Sequence, residues 1–567
     1  MALLPLPQGV LLVLRDEDRT RIEDRSKQEM RDWLSAKALK LKLELSRVQT
    51  VYNSTLTINL IPNELLVEIL RCALDPYDCV WAATTMGVCR HWQDTIAAAP
   101  YLWSSLSLSH RNTQFVELCI VRSQDAPLSI SLRVDDAFVG RGEGNELSWV
   151  LDLITLHRSR LADVNIRLDS RRTPEIRPAL DRLAHLLQSS LPRLTAISLA
   201  RTTDGIVPDG LLKLDPLCHP AMRRVELAGI EFGRHGLQIS QLTTLVLRNI
   251  DKGYLVLGVV TSVASLLDIL EACVQLRYFT YEKWQNIQRK PVDPSRIVSL
   301  PEMRRFHVLG YLADIGRIMP HISLPRQAAL LLDVSRYNLA NPSPLGAILP
   351  RRSTHSAALD EVDVVKVHHH NHELHVVAFS RCTYDGEVAL RLAYPYTTSY
   401  GDDIILLYNI LRGLEHLFPS SLQVLIFDTD VERITLEDWS LVLRTFPGLK
   451  GLNVHDISRT PKQFLFAIAS ALEPKPTGVP CCHLQKLRLT YAPQKVKRSL
   501  KMLRALQIAL QKRAEAGYRL PNLRLEFKQQ ADDGHTVNDA LQSSAKFLRL
   551  QRGFETSTGS VTIIWED

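Results

Sequence analysis

The sequence predicts an α/β protein in which a helical N-terminal part precedes a long solenoid of helices and short parallel strands. Two observations lead to this class. Residues 15–50 contain neither Gly nor Pro and are half charged, which is typical of a surface helix. From about residue 190 onward, a helical stretch followed by the pattern LxxLxL recurs, as expected for stacked repeats. Apolar residues make up 46% and charged residues 23% of the 567 residues, which is ordinary globular usage.

The N-terminal segment, residues 1–53, is predicted to be a charged helix. Its apolar residues recur at spacings close to the helical period, namely Trp33, Leu34, Leu41, Leu45 and Val48. This spacing places most of them on one side of a helix. Two arrangements fit the pattern: a short coiled coil, or a solvated helix that packs against the next domain.

A compact apolar block, residues 58–108, predicts three short helices and a strand. Pro62 suits the first turn of a helix, and Glu64 favours the positive end of the helix dipole. Asp75 and Pro76 then interrupt that helix. The other predicted elements are a second helix around Val80–Thr85, a third that carries Val88, Cys89, Trp92 and Ile96, and a strand at Ser105–Leu108.

The remaining residues, 105–567, are predicted to form an irregular leucine-rich-repeat solenoid. Successive copies of the LxxLxL pattern start 20 to 39 residues apart, which overlaps and exceeds the roughly 20–29 residues of such repeats. A single strand and helix cannot bury their apolar faces alone, whereas stacked copies share a continuous core. We therefore expect parallel strands on a concave face and helices outside. Residues 310–400 offer strands but little helix and predict an irregular insertion.

Three short motifs in the block resemble the F-box of basidiomycete-type F-box proteins with a leucine-rich-repeat tail. They are IPNELLVEIL at residues 61–70, VCRHW at 88–92 and PYLW at 100–103. The first motif opens with Ile61-Pro62 where the family usually has Leu-Pro, which is a conservative change. The resemblance covers about fifty residues and implies a domain at 54–104 in a fungal protein.

The resemblance also implies a partner. F-box domains dock on the adaptor subunit of cullin-based (SCF-type) ubiquitin ligases and, through it, on the cullin, while the repeats behind them hold a protein substrate. Carried over by position, the adaptor-binding residues would be Ile61, Pro62, Leu65, Leu66, Ile69, Leu70, Val88, Cys89 and Trp92. The alternative for each is a place in the core of the three-helix module, and Trp103 is expected in that core.

Candidate substrate-binding residues follow from the repeat pattern. In LxxLxL the leucines face the core, so the residues between them face a partner. This nominates Lys450, Asn453, Lys486 and Arg488. Their polar or basic character suits an acidic or phosphorylated protein surface, although exposed strands are polar in any case.

Motifs for other chemistries are weak, and we expect a protein that is not an enzyme and has no cofactor. Cys481 and Cys482 have no second ligand pair at zinc spacing. The histidines between His368 and His375 are expected in a solvated hairpin loop, and residues 140–144 in a flexible loop. The basic segment 495–513 lacks interleaved aromatic residues, which argues against nucleic acid as a partner.

The first residues lack the basic region and cleavage site of a secretory signal, and the longest apolar run, Tyr254–Leu267, is too short for a bilayer. We therefore expect a cytoplasmic or nuclear protein without a membrane partner. Two functions remain: a non-catalytic substrate receptor of a cullin-based ubiquitin ligase, or a leucine-rich-repeat interaction scaffold whose degenerate F-box no longer recruits the ligase.

Overall fold

A computed structural model of the chain divides into two compact units, Met1–Ser131 and Leu132–Asp567, called here the N-terminal and C-terminal units. The residues that the structure describes are 16–21, 26–73, 84–108, 113–134, 145–169, 173–201, 214–229, 240–248, 250–252, 255–257, 262–282, 292–334, 359, 361–370, 373–380, 388–395, 402–418, 421–431, 434–456, 464–476, 478–493, 495–528 and 534–565.

The N-terminal unit begins with helices, as predicted. Its elements are α1 (Asp16–Thr20), α2 (Lys27–Ser54), a 3₁₀ turn (Thr57–Asn59), α3 (Asn63–Ala73), α4 (Arg90–Ala97), a second 3₁₀ turn (Pro100–Trp103), β1 (Ser105–Leu108), α5 (Thr113–Arg122) and the start of β2 (Leu128–Val134). The helix predicted at Val80–Thr85 lies mostly outside the described residues.

Helix α2 starts where its sequence supplies a complete cap. The Ser26 hydroxyl accepts a hydrogen bond from the Glu29 backbone N–H, and the Glu29 carboxylate accepts one from the Ser26 backbone N–H. This reciprocal pair satisfies two backbone donors that the first helical turn leaves open. No residue of α2 is buried, and most of its apolar side chains are exposed, while Met30 and Trp33 are half-buried.

Hydrogen bonds from two tryptophans hold helix α4 to the 3₁₀ turns before and after it. The Trp92 Nε1–H donates to Asn59 Oδ1 over 2.7 Å, which ties α4 to the first 3₁₀ turn. Trp103 is buried and donates from Nε1 to the Ile96 carbonyl, also at 2.7 Å. The Arg122 guanidinium lies 4.5 Å from the centre of the Trp103 ring. Trp103 is therefore a core residue, as predicted.

The C-terminal unit contains a large, mostly parallel sheet, in agreement with the predicted α/β class. Its strands are β3 (Leu161–Leu168), β4 (Ala196–Arg201), β5 (Arg224–Ala228), β6 (Thr244–Arg248), β9 (Tyr278–Glu282), β11 (Arg305–Gly310), β13 (Ala329–Val334), β14 (Val362–His370), β15 (Glu373–Ser380), β16 (Leu390–Pro395), β17 (Val424–Thr429), β18 (Gly451–Asp456), β19 (Lys486–Tyr491), β20 (Leu520–Phe527) and β21 (Thr558–Trp565). Short ladders join β7 (Ile250–Lys252) to β8 (Leu255–Leu257) and β10 (Val298–Ser299) to β12 (Ile322–Ser323).

The strands follow chain order except at one place. Across the sheet the order is β3-β4-β5-β6-β9-β11-β13-β16-β15-β14-β17-β18-β19-β20-β21. Strand β15 runs antiparallel to both neighbours, while β16 and β14 pair in parallel with β13 and β17. The predicted irregular region, 310–400, thus contributes a reversed three-strand segment that continues the sheet.

Helices connect many of these strands and cover their apolar side. The helices are α6 (Asn145–Leu156), α7 (Thr173–Gln188), α8 (Val263–Ala272), α9 (Leu312–Ile318), α10 (Asp402–Leu417), α11 (Leu436–Thr445), α12 (Phe464–Leu472), α13 (Val496–Glu515), α14 (Gly534–Gln542) and α15 (Ala545–Ser557), with 3₁₀ turns at Arg158–Arg160 and Met319–His321.

Alternation along each strand separates two faces. In β17, Leu425 and Phe427 are buried, and the Phe427 ring lies 5.1 Å from that of Trp439 in α11. Such burial is the main force that holds helix to sheet. The intervening residues, such as Ile426 and Asp428, are only half-buried. We call the side that carries these intervening residues the open face of the sheet.

The histidine tract differs from its prediction. His368, His369 and His370 belong to strand β14, and His375 belongs to β15, so these residues are not in a solvated loop. The antiparallel ladder continues to the pair His370 and Glu373. The stacked rings of His368 and His375, with centroids 5.2 Å apart, support this longer hairpin because cross-strand pairs stabilise a ladder.

Candidate protein-interaction sites

A polar cleft of about 230 Å³ lies on the open face of strands β14, β17, β18 and β19. It contains two of the predicted substrate-binding residues, Asn453 and Arg488. The other polar residues that line it are Lys366, Asp428, His455 and Thr490. The sheet register brings them together, because Asn453 is the ladder partner of Arg488, and Asp428 that of His455.

Glu526 anchors one side of this cleft. Its side chain is only 2% exposed, and the carboxylate accepts hydrogen bonds from the Thr490 hydroxyl (2.6 Å), from Arg488 Nε (3.0 Å) and from Arg524 Nε. Burial alone would raise the pKa of Glu526, but these donors outweigh it and lower the pKa to about 2. Glu526 is therefore ionised at neutral pH and holds both arginines in place.

Asp428 plays the matching part on the other side of the cleft. Its carboxylate lies 3.3 Å from Lys366 Nζ and 3.1 Å from His455 Nδ1. Further along the open face, Asp333 joins His307 Nε2 and Arg391 Nη2, each at 2.8 Å. Burial would raise the pKa of Asp333, but the hydrogen bond from His307 and the charge of Arg391 lower it overall.

The other two predicted substrate-binding residues, Lys450 and Lys486, are exposed at one end of these strands. The two residues are neighbours, because the Lys486 backbone N–H donates a hydrogen bond to the Lys450 carbonyl over 2.9 Å. Neither lines the cleft. The structure therefore places the four residues on neighbouring strands but brings only Asn453 and Arg488 into one concave site.

An exposed apolar stripe lies on helix α3 in the N-terminal unit. Pro62, Leu65 and Ile69 follow one another at helical spacing and are exposed, with Leu65 at 56% and Ile69 at 47% of full exposure. The adjacent side of the helix, about 100° around its axis, carries Leu66 and Leu70, which are buried. Sequential leucines thus divide between a core side and a solvent side, as the 100° turn per residue requires.

Residues 58–109 match the F-box-like family model. The match contains the stripe on α3 as well as α4 and the buried Trp103, so we refer to this segment as the F-box-like domain. A search of the curated proteins returned no match for the chain.

The remaining predicted adaptor-binding residues occupy mixed positions in the F-box-like domain. Val88 is exposed, while Ile61, Cys89 and Trp92 are half-buried. Cys89 is the N-cap residue of α4, and Trp92 is held by its hydrogen bond to Asn59. The nine residues therefore include a solvent-facing group, Pro62, Leu65, Ile69 and Val88, and a buried pair, Leu66 and Leu70.

Burial and charged neighbours determine the pKa values of Cys481 and His369, two residues from the segments considered for metal binding. Burial raises the pKa of the Cys481 thiol to about 12, and its Sγ–H donates to the carbonyls of Leu443 and Phe446. Burial and the nearby His375 lower the pKa of His369 to about 4, against the opposing charge of Asp428. Within the part of the chain that the structure describes, no three His, Cys, Asp or Glu side chains are arranged to hold a metal ion.

Two other segments were singled out in the sequence, and one of them lies within the described residues. Residues 140–144 lie outside the described residues. The basic segment 495–513 forms most of helix α13, where Lys497, Lys501, Arg504 and Lys512 are exposed and only Arg513 among its basic residues is buried. None of the described helices is long and apolar enough to cross a membrane.

Lys366, Asp428 and Glu526 were not identified from the sequence. Each lies at an intervening position of a strand, so strand alternation would have placed it on the open face. Their grouping with Asn453 and Arg488 depends on the strand pairing, which no short motif records.

Proposed function

We propose that this protein is the non-catalytic substrate receptor of a cullin-based ubiquitin ligase. The observation that carries the proposal is the exposed stripe Pro62, Leu65 and Ile69 within the F-box-like domain. Large apolar side chains aligned on one helix and rimmed by polar residues are typical of a protein-binding surface. The stripe would bind the adaptor subunit, while Leu66 and Leu70 hold the domain together from the other side.

Residues 105–567, which include the whole C-terminal unit, would supply the second half of this function. We propose that residues 105–567 are an irregular leucine-rich-repeat solenoid with its insertion at 310–400, that residues 54–104 are the F-box, and that a protein substrate binds the open face. The cleft with Asn453 and Arg488 supports this assignment because it is a concave polar site away from the buried leucines. The motif order of residues 61–103 favours a fungal, basidiomycete-type receptor. We propose that it acts in the cytoplasm or nucleus.

We propose further that helix α2 pairs with a second copy of this chain as a short coiled coil. Six of its exposed apolar residues alternate at spacings of four and three, namely Leu34, Ala38, Leu41, Leu45, Val48 and Tyr52, while Leu39, Leu43 and Val51 are exposed outside this series. That is the a/d pattern of a coiled coil, and burial in a dimer would remove this seam from water. Light scattering of the full-length protein should report a dimer, and Leu41→Lys with Leu45→Lys should yield a monomer. A monomeric wild-type protein at micromolar concentration would contradict the pairing.

The test of the main proposal is reconstitution with purified adaptor and cullin. The full-length protein should co-elute with both, and the variant Leu65→Ala with Ile69→Ala should elute alone while its circular dichroism is unchanged. Proteins trapped on the receptor in cells with an inhibited proteasome should identify substrates by mass spectrometry. If the wild-type chain fails to bind adaptor yet still retains partner proteins, the interaction scaffold with a degenerate F-box is the correct function.

A further inference from the structure

The open face carries an excess of bases at its C-terminal strands. Nearer the N-terminal strands Arg248 forms a one-to-one pair with Glu282, whereas Asp169 is shared by two arginines. Further along, three buried or half-buried acids are each shared by two bases on different strands. These shared groups are Asp333 with His307 and Arg391, Asp428 with Lys366 and His455, and Glu526 with Arg488 and Arg524.

The group formed by Glu526, Arg488 and Arg524 has two positive charges and one negative charge. Arg488 and Arg524 are ladder partners on β19 and β20, so their side chains leave the sheet side by side. Arg488 uses Nε and Nη2 on the carboxylate, at 3.0 and 2.9 Å. A guanidinium has five N–H donors, and the Arg488 and Arg524 side chains are 41% and 40% exposed. Their remaining donors can therefore reach an external anion.

The cleft beside Arg488 adds a second cation and an amide. Lys366 lies on its far side, and Asn453 lies between Lys366 and Arg488 in the same cross-strand row. Asn453 is half-buried and lines the cleft, so its carboxamide is within reach of a ligand bound there. A carboxamide in this position can pair with the backbone amide of a bound peptide.

We propose that this cleft binds an anionic side chain, a carboxylate or a phosphorylated hydroxyl, of an extended substrate peptide. Arg488, supported by Arg524, and Lys366 bind the anion, and Asn453 binds the adjacent peptide backbone. Glu526 is a positioning residue that orients the two guanidinium groups. The inference rests on the proposed function as a substrate receptor and specifies the chemical class of its substrate.

Immobilised short peptides of randomised sequence, with phosphoserine, Glu, Gln or Lys fixed at the central position, provide the test. Full-length protein should be retained at least about tenfold better on the phosphoserine or Glu pools than on the Gln pool, as one charge-assisted hydrogen-bond contact implies. The ratio between the two anionic pools identifies which anion the cleft prefers. Arg488→Gln should lose this preference, and Arg248→Gln, the matched control from a one-to-one pair, should keep it.

Lys366→Met supplies a second variant that leaves the Glu526 contacts intact, in case Arg488→Gln disturbs the fold. Equal retention on all four pools, or an unchanged preference in both cleft variants, would overturn the proposal. Binding of purified adaptor, measured with the same protein preparations, distinguishes a failure of the anion-binding cleft from a failure of the ligase function. Intact capture without anion preference refutes only the cleft chemistry, whereas anion preference without capture refutes the ligase function and leaves the cleft.

Discussion

Replacement of Leu65 and Ile69 by alanine should weaken adaptor binding while it leaves the fold intact. Both side chains lie on the solvent side of α3, where about half of their surface is exposed. The matched control is Leu66→Ala on the same helix, because Leu66 is fully buried. Adjacent positions in one helix therefore separate binding from stability.

The magnitude follows from the exposed surface. Truncation to alanine removes about three carbon groups, each worth ~0.8 kcal/mol when fully buried. Since about half of this surface is exposed before docking, each truncation should cost about 1.2 kcal/mol of binding. Packing defects at an interface centre add to this value. The double variant should thus lose about 2 to 4 kcal/mol, roughly 30- to 700-fold in Kd.

Titration calorimetry of full-length protein with purified adaptor measures the binding, and chemical denaturation measures stability. Leu66→Ala should lower the free energy of unfolding of its unit by about 2 to 5 kcal/mol, as expected for a fully buried leucine. By the same arithmetic the Leu65 and Ile69 variant should lower it by about 2 kcal/mol, because the other half of each side chain is buried in the folded unit. Wild-type affinity in the double variant, with an unchanged fold, would refute the assignment of this stripe as the docking surface.

Two predictions concern the C-terminal unit. Glu526→Gln should lower the free energy of unfolding by about 1.5 to 3 kcal/mol at neutral pH, because the hydrogen bonds to a charged acceptor are replaced by weaker ones. The pKa of Glu526 in the folded state, about 2, lies below its ordinary value of 4.5. The stabilisation by the ionised carboxylate is therefore complete above pH 4.5 and is lost as the pH falls toward 2. Denaturation midpoints of wild type and variant should therefore converge on acidification, and a constant difference would contradict the ionised role. Arg513→Met should lower the free energy of unfolding by about 2 to 4 kcal/mol. The buried guanidinium donates hydrogen bonds to the Pro480 and Cys481 carbonyls, which would lose their donors in the variant. An unchanged melting temperature would show that the two carbonyls need no donor.

The sequence by itself determined the class of the protein and the position of many elements. Leucines in LxxLxL predicted strands that the structure has at Ala196–Arg201, Thr244–Arg248, Gly451–Asp456 and Lys486–Tyr491. Alternation along a strand and the 3.6-residue period along a helix are local properties, so a single sequence records them. The same holds for the F-box motifs, which lie within about fifty consecutive residues.

Only the tertiary structure decided which of these residues face solvent and which residues meet. The sequence treated Leu65, Leu66, Ile69 and Leu70 alike, whereas packing buries two of them and exposes the others. Strand order across the sheet was equally hidden, because β16, β15 and β14 pair in reverse of their chain order. That reversal places Lys366 beside Asp428, about sixty positions away. Pairing between distant strands depends on the packing of whole elements, and a local pattern carries no record of it.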